Sequence, residues 1–507
     1  MSSAKGRKAG CKRKEVMKSC VSRITACASL VLFMLLIARG DSCCASLKSG
    51  QCNIVLITID TLRADHLSCY GYHRKTSPYI DSLAAGGIAC TNAYAPSSWT
   101  TPSMASLFTS VYPINHGVIN GIGLKMDQAI YVQNIFSPDL KTLAEVLQAH
   151  GYTTFGVSSH RNLDEQFGFA RGFDYFTCLP FLPAQAVNEA VLAREAALKQ
   201  AEKFFLWIHY FDPHAPYTAQ KPWAREYALE AQTEVLLDLP ALSGAELARL
   251  LQKCPDGGLP DATQPLCGYL KQLRQNYNDN VINPQDHDIA LYDSEISYVD
   301  NHIGMLMKRL NLSDETLIVI TADHGEEFLE HGEMGHGHNL YQQTIHIPLI
   351  MKLPHRQEGT ILNQPISLID VMPTMLDICT VSPSSSMLGK SFRNEKKLLF
   401  WLKKKMPVSD IDYVYSEIDT SRTLRAIVAP PWKYIYNCKD AAGQLYNIVS
   451  DPLEKNDLGC NKTRERDRLR DHLLRWMETA KRYPTTTCDY ELSAEDKDKL
   501  KGLGYLQ

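Results

Sequence analysis

Three short runs of β-branched, aromatic and other apolar residues stand out along the chain, and each stops at an acid or a histidine. Asn53-Ile54-Val55-Leu56-Ile57-Thr58-Ile59 stops at Asp60, and Thr316-Leu317-Ile318-Val319-Ile320-Thr321 stops before Asp323-His324-Gly325. Phe204-Phe205-Leu206-Trp207-Ile208 ends in His209-Tyr210-Phe211-Asp212-Pro213-His214. Runs with so little alternation read as strands buried on both faces, as in a parallel sheet. Between them the pattern predicts helices over Leu140–Ala149, Gln185–Lys203 and Ile289–Leu310. Strands alternating with helices imply an α/β fold, a large, mostly parallel sheet sandwiched by helices. Such sheets gather their ligands at the C-terminal strand ends, which is where the acids and histidines fall.

Residues 218–287 interrupt this rhythm with a polar, helix-prone insertion, either a lid over the substrate or a surface elaboration. Ser367-Leu368-Ile369-Asp370-Val371 reads as the last part of the main domain, 46–390, and the Ser and Pro cluster at 382–386 as a loop near its end. Beyond it, in 391–507, Ala426-Ile427-Val428 and Trp432-Lys433-Tyr434-Ile435-Tyr436 predict a small antiparallel sheet, followed by a charged helix from Arg464 to Ala480.

The N-terminus changes the picture of where the protein works. Eight Lys or Arg against one Glu in the first 23 residues precede the uncharged apolar run Ile24–Ala38. That combination is an export signal. Residues 1–45 are read as a cleaved signal peptide, with an uncleaved anchor as the alternative, and membrane association through residues 24–38 is possible on the second reading. The destination is periplasmic, secreted or anchored on the outer face. Removing residues 1–42 takes away nine basic and two acidic groups, so the chain's −3 becomes about −10. An acidic exported body excludes nucleic acid as a natural partner. Twelve of the fifteen Cys lie from Cys43 onward with no CxxC pair, which excludes a zinc-finger framework. In an oxidising compartment some should pair, Cys254 with Cys267 being the best local choice.

Four separated stretches carry the candidate chemistry. They are Ile59-Asp60-Thr61-Leu62-Arg63-Ala64-Asp65-His66, then Ser98-Trp99-Thr100-Thr101-Pro102-Ser103-Met104-Ala105-Ser106-Leu107, the Asp212-Pro213-His214 loop, and Asp323-His324-Gly325-Glu326 running on to His331, His336 and His338. In this order they resemble the sulfatase family of the alkaline phosphatase superfamily. Leu445-Tyr446-Asn447 with Asp451-Pro452 resembles that family's C-terminal subdomain. The resemblance implies an alkaline phosphatase-like fold, a divalent cation (Zn, Mn, Ca or Mg), and an anionic ester substrate, a glycan or a lipid headgroup among the possibilities. It also implies that His214 binds substrate and that His338 or His336 binds the ester or assists the leaving group.

Sulfate and phosphate esters repel a nucleophile, so a cation is needed to neutralise the non-bridging oxygens. Asp60, Asp323 and His324 are the residues expected to hold it, with Thr100 contributing its hydroxyl. Asp212, with the histidines, could instead serve a second metal. Imidazole among the ligands leans toward Zn²⁺ or Mn²⁺ over Ca²⁺. Pro102 suggests a helix starting near Thr100, and a helix N-terminus favours an anion. Thr100 is then the nucleophile, or else a simple N-cap. Here the chain departs from the family, which has Cys or Ser at Thr100, converted to formylglycine, and Arg at Met104. Threonine resembles instead the nucleophile of phosphoryl-transfer relatives. Three functions follow: an ester hydrolase, a phospho-group transferase acting on a lipid or glycan acceptor, or a non-catalytic binder of sulfated glycans.

Overall fold

The computed structural model describes residues 52–121, 131–227, 284–392, 413–491 and 493–494. The Asn53–Ile59 strand is central because nothing in it needs water: Ile54, Val55, Leu56 and Ile57 are fully buried. It pairs in parallel with Phe204–Tyr210 on one side and Thr316–Ala322 on the other. The three strands expected from their apolar runs are thus immediate neighbours. Among the described residues the main sheet has nine strands. In order they are Thr360–Leu362, Ile88–Tyr94, His346–Lys352, Thr316–Ala322, Asn53–Ile59, Phe204–Tyr210, Thr153–Ser158 and Tyr175–Cys178, with Ile366–Ser367 also pairing with Ile88–Tyr94. Among the described residues, only His346–Lys352 runs antiparallel to its neighbours, so the sheet is mixed and mostly parallel, as expected.

The helices differ from the sequence expectation at their ends, for local reasons. Leu143–Ala149 starts after Thr142, which accepts from Glu145 N while Glu145 accepts from Thr142 N. This reciprocal cap fixes the start three residues after Leu140. The expected Gln185–Lys203 helix is two, Ala184–Leu192 and Glu195–Gln200. At the break Arg194 leaves helical geometry and lays its guanidinium 5.2 Å from the Tyr175 ring centroid. Pro284–Leu310 begins five residues before the expected Ile289. Its acids are structural: Asp300 accepts from Tyr79 N and Ile80 N, and Asp293 takes His66, Tyr72 and Arg74.

The C-terminal sheet has four antiparallel strands, Val414–Asp419, Thr423–Ala429, Trp432–Asn437 and Ala442–Asn447, backed by the helix Thr463–Thr479. Ile366–Ser367 joins the main sheet, pairing with Ile88–Tyr94. Thr486–Tyr490 returns to pair with Tyr131–Ile135. A disulfide joins Cys52 to Cys379, tying the start of the central strand to the end of the Val371–Ile378 helix. Cys254, Cys267, the run Ile24–Ala38 and most of the 218–287 insertion lie outside the described residues. Among those described, no helix is long and apolar enough to cross a membrane.

Candidate active site

The central strands deliver their polar ends to one point. Asp60 follows Ile59, and Asp323 and His324 follow Ala322 on the neighbouring strand. All three are fully buried. His324 Nε2 lies 3.7 Å from Asp60 Oδ1 and 3.3 Å from Asp323 Oδ2. Their nearest ligand atoms fall within 4.8 Å of one another. Between the carboxylates sits Thr61, a β-branched residue at φ +52° whose N–H donates to Asp323 Oδ1 at 3.3 Å. A left-handed conformation is costly for such a residue and is found where the surroundings impose it.

This trio fits a divalent cation. Asp60 Oδ1 and Asp323 Oδ2 are buried with no hydrogen-bond partner among the described residues. Burial, and then the charges of Asp323 and Glu326, push the Asp60 carboxyl well above its ordinary range, and burial raises Asp323 too. Two carboxyls so placed call for a positive charge between them. His324 is prepared as well. Its Nδ1 donates to Gly325 O at 2.8 Å, which leaves Nε2 the unprotonated nitrogen, and burial lowers the ring to about 3. Gly325 has no alternative residue, since a Cβ there would lie 2.1 Å from Gln343 O.

Thr100 opens the helix Thr100–Thr109, every residue of which is buried. Its Oγ1 lies 3.1 Å from His324 Nε2, so the expected nucleophile and the acid–histidine trio meet. The first N–H groups of a helix lack intrahelical partners and face the same direction. Met104 points into the hydrophobic core, fully buried.

The histidines divide. His336 stands at the site, its ring centroid 4.4 Å from that of His324 and 5.0 Å from that of His214. Its Nδ1 lies 2.8 Å from Glu326 Oε1, and Glu326 is held further by Tyr217 OH at 2.9 Å. Burial would raise Glu326, but the His336 charge and hydrogen bond outweigh it and keep the carboxyl below its ordinary value. His214 donates from Nδ1 to Ala215 O, and burial lowers it to about 3. His338 faces away, toward Glu327 Oε2 at 3.2 Å and Glu333 Oε2 at 3.4 Å. Although burial opposes it, the Glu327 hydrogen bond raises this histidine. Asp212 does not join the trio: its Oδ2 accepts from Ala184 N, capping the Ala184–Leu192 helix, and its charge bears on Glu295.

Two further histidines reach Asp60 that the sequence reading did not single out. His209 Nε2 lies 3.4 Å and His160 Nε2 3.7 Å from Asp60 Oδ2. Thr58 Oγ1 at 2.8 Å holds His209 Nδ1, and Asn162 N donates to His160 Nδ1 at 3.0 Å. The His160 contact leaves Nε2 as the protonated nitrogen, directed at the carboxylate. The sequence signal for His209 is a polar residue at the end of an apolar run, and the strand extends through it to Tyr210.

The sulfatase family model matches residues 52–381, and the model of the N-sulphoglucosamine sulphohydrolase C-terminal region matches residues 330–482. Human iduronate 2-sulfatase is 25% identical over 381 residues, covering 64% of this chain and 64% of that relative. The chain therefore spans a little under two thirds of that relative's length. A structure solved with its substrate D-glucosamine-2-N,6-O-disulfate superposes with a TM-score of 0.62 at 18% identity, covering 90% of this chain and 98% of the other. A phosphonate monoester hydrolase of Agrobacterium radiobacter gives 0.59 at 19%, covering 84% and 95%. These two likenesses establish a shared fold. With the family model running through both central strand ends and the Thr100 helix, over more than half of its length, the chain belongs to the sulfatase family.

Proposed function

We propose that the protein is a metal-dependent hydrolase of sulfate or phosphate esters with Thr100 as its nucleophile, and that phosphorus is the better fit. The observation that carries this reading is Thr100 Oγ1 at 3.1 Å from His324 Nε2, beside two buried carboxylate oxygens that lack partners. A divalent cation held by Asp60, Asp323 and His324 would neutralise the ester's non-bridging oxygens and favour ionisation of a nearby hydroxyl. Threonine cannot become formylglycine, the route by which the family's Cys or Ser cleaves sulfate, whereas a threonine oxygen attacks phosphorus directly.

The remaining residues supply orientation and protons. His209 and His160 bear on Asp60 Oδ2, which turns Oδ1 toward Asp323 and His324. The ionised Thr100 oxygen forms a bond to phosphorus as the bond to the alcohol oxygen breaks. The departing oxygen takes a proton from His336 Nε2, whose ring Glu326 Oε1 orients through Nδ1 at 2.8 Å. A water then gives its proton back to His336 and displaces Thr100. His214 packs against His336 and shapes the alcohol's side of the site. His338 supports the turn at Glu327, and Asp212 the start of the Ala184–Leu192 helix, rather than the reacting atoms. Export belongs to the same reading, and the Cys52–Cys379 disulfide suits an oxidising compartment.

The test is to assay nitrophenyl sulfate, a nitrophenyl phosphate monoester and a phosphodiester in parallel with defined metals, alongside Thr100→Ala. The phosphodiester or monoester should turn over fastest, and Thr100→Ala should abolish it. Turnover of the sulfate alone, retained in Thr100→Ala, would end the threonine-nucleophile reading.

A further inference from the structure

The backbone around His336 is poorly suited to fixing a side chain by itself. Gly335 and Gly337 flank the histidine, both in the left-handed region at φ +91° and +78°. A glycine on each side gives the unsupported turn many conformations. Its base is pinned by Glu327, whose Oε1 accepts from His331 N at 2.8 Å and Glu333 N at 3.1 Å, and which pairs with Gly335 across the Glu327–Phe328 and Met334–Gly335 ladder. His338 Nδ1 adds a local contact, 3.1 Å from His336 O. The turn beyond Gly335 is held from elsewhere in the chain.

Residues 420–422 of the C-terminal sheet reach it. Thr420 Oγ1 donates to Gly337 O at 2.6 Å, the carbonyl one residue past His336. Arg422 Nη1 donates to His338 O at 3.3 Å, and its guanidinium grips the Glu333 carboxylate in a two-point pair at 3.0 and 2.8 Å. Trp99, the residue before Thr100, also reaches Gly337: a Cβ there would stand 3.8 Å from the indole Cδ1. Trp99 and Thr420 line one small cavity. The peptide after His336 therefore touches both the C-terminal sheet and the start of the Thr100 helix.

The hairpin that presents Thr420 is itself tightly fixed. Residues 420–422 link the strands Val414–Asp419 and Thr423–Ala429, and Thr420 N donates to Arg422 O at 3.0 Å. Asp419, just before Thr420, accepts two bonds from Arg425 at 3.0 and 2.8 Å, and Arg425 Nε lies 3.0 Å from Glu417 Oε2. Glu417 and Arg425 are both buried. A two-point arginine–carboxylate pair adds geometric definition as well as energy. A side chain on such a support can set the place of the group it touches.

We infer that Thr420 is a positioning residue for His336: its bond to Gly337 O, backed by Arg422 on His338 O, holds the turn so that His336 Nε2 meets the departing oxygen. The inference rests on His336 as the proton donor. A general acid acts only within hydrogen-bond reach of the atom it protonates, and a small misplacement of such a group is costly. Loss of the Thr420 bond therefore bears on esters whose leaving group needs a proton, and much less on those whose leaving group departs without one.

The test compares kcat/KM of the metal-loaded full chain on ethyl nitrophenyl phosphate and on diethyl phosphate, whose leaving ethoxide needs the proton. Thr420→Val should slow the diethyl ester about tenfold more than the nitrophenyl ester, the scale of one lost hydrogen bond. Thr420→Ser keeps the donor and should restore the wild-type ratio of the two rates. In a His336→Gln background, adding Thr420→Val should leave the ratio where His336→Gln puts it, because a residue that acts through His336 then has nothing to position. Arg422→Gln, at the exposed end of the same hairpin, should shift the ratio in the same direction, and it carries the test if Thr420→Val melts below the assay temperature. Equal slowing of both esters by Thr420→Val and by Arg422→Gln, no slowing by either, or a further change of ratio in His336→Gln overturns the inference. A His336→Gln variant that slows both esters alike overturns the proton-donor reading and this inference with it. The His336→Gln ratio thus tells the two failures apart.

Discussion

Taking the cation away is the perturbation that reads the Asp60–Asp323 pairing most simply. Each carboxylate is fully buried and leaves one oxygen unpartnered among the described residues. A buried, unsatisfied acceptor costs about 1–3 kcal/mol, so two of them put the metal-free state at a disadvantage of roughly 2–6 kcal/mol. With about 2.1 cal/mol/K of unfolding entropy per residue and roughly 450 residues from Cys52 onward, each kcal/mol corresponds to about 1 °C in Tm. Chelation should therefore lower Tm by roughly 2–6 °C at neutral pH in scanning calorimetry. Asp323→Asn should behave in the opposite sense without metal, melting above the chelated wild type because one of two facing charges is gone, and it should gain little from added Mn²⁺ or Zn²⁺. The pH dependence has a definite sign. Both carboxyls are raised in the fold, so without metal the folded chain holds protons that the unfolded chain has lost once pH exceeds the ordinary carboxylate value. Metal-free stability then falls as pH rises, and the chelation effect should shrink when the measurement is moved from pH 7.5 to pH 5. Identical melting with and without chelator, or a metal-free Asp323→Asn no more stable than the metal-free wild type, would refute the reasoning.

Other consequences are local. His116 is fully buried between Ser106 Oγ at 2.9 Å and Val118 N at 3.0 Å, and burial lowers it from 6.5 to about 3. Its contribution is lost as pH falls below the unfolded value, roughly 2 kcal/mol by pH 5, so the stability deficit of His116→Gln at pH 7 should narrow by about that amount at pH 5 in urea titrations. Gly325→Ala would drive a methyl into Gln343 O and should lose about 1–3 kcal/mol of stability together with most of the activity, read by melting and steady-state assay. His336→Gln should slow alkyl phosphodiesters by roughly 10²–10⁴-fold while sparing nitrophenyl esters, whose leaving group needs no proton. His338→Gln should instead leave turnover within about fivefold and lower Tm by roughly 1–2 °C through loss of the Glu327 contact.

Much of this site could be read from the sequence because strand ends are explicit in it. An apolar run that stops at Asp60 and another that stops before Asp323-His324 give both the central position in the sheet and the direction of the acids. The Pro102 signal likewise places Thr100 at the first residue of its helix. What stayed hidden depends on side-chain direction across the sheet. His336 and His338 are two residues apart, and only the turn with Gly335 and Gly337, both at positive φ, decides that His336 meets His324 while His338 meets Glu327. Asp212 looked like a strand-end ligand, yet its competing role as acceptor for Ala184 N is set by a helix that begins 28 residues earlier. His160 follows the strand Thr153–Ser158, whose Thr and Phe alternate with a glycine too weakly to stand out as an apolar run.

The central claim, that Thr100 is the nucleophile, can be read directly by quenching the metal-loaded enzyme in acid within the first turnovers of a phosphodiester and analysing its peptides by mass spectrometry. The peptide containing Thr100 should carry the phosphoryl group with the non-leaving alcohol still attached, and Thr100→Ala should neither turn over nor label. Turnover at the wild-type rate by Thr100→Ala, or an adduct on any other residue, would contradict it.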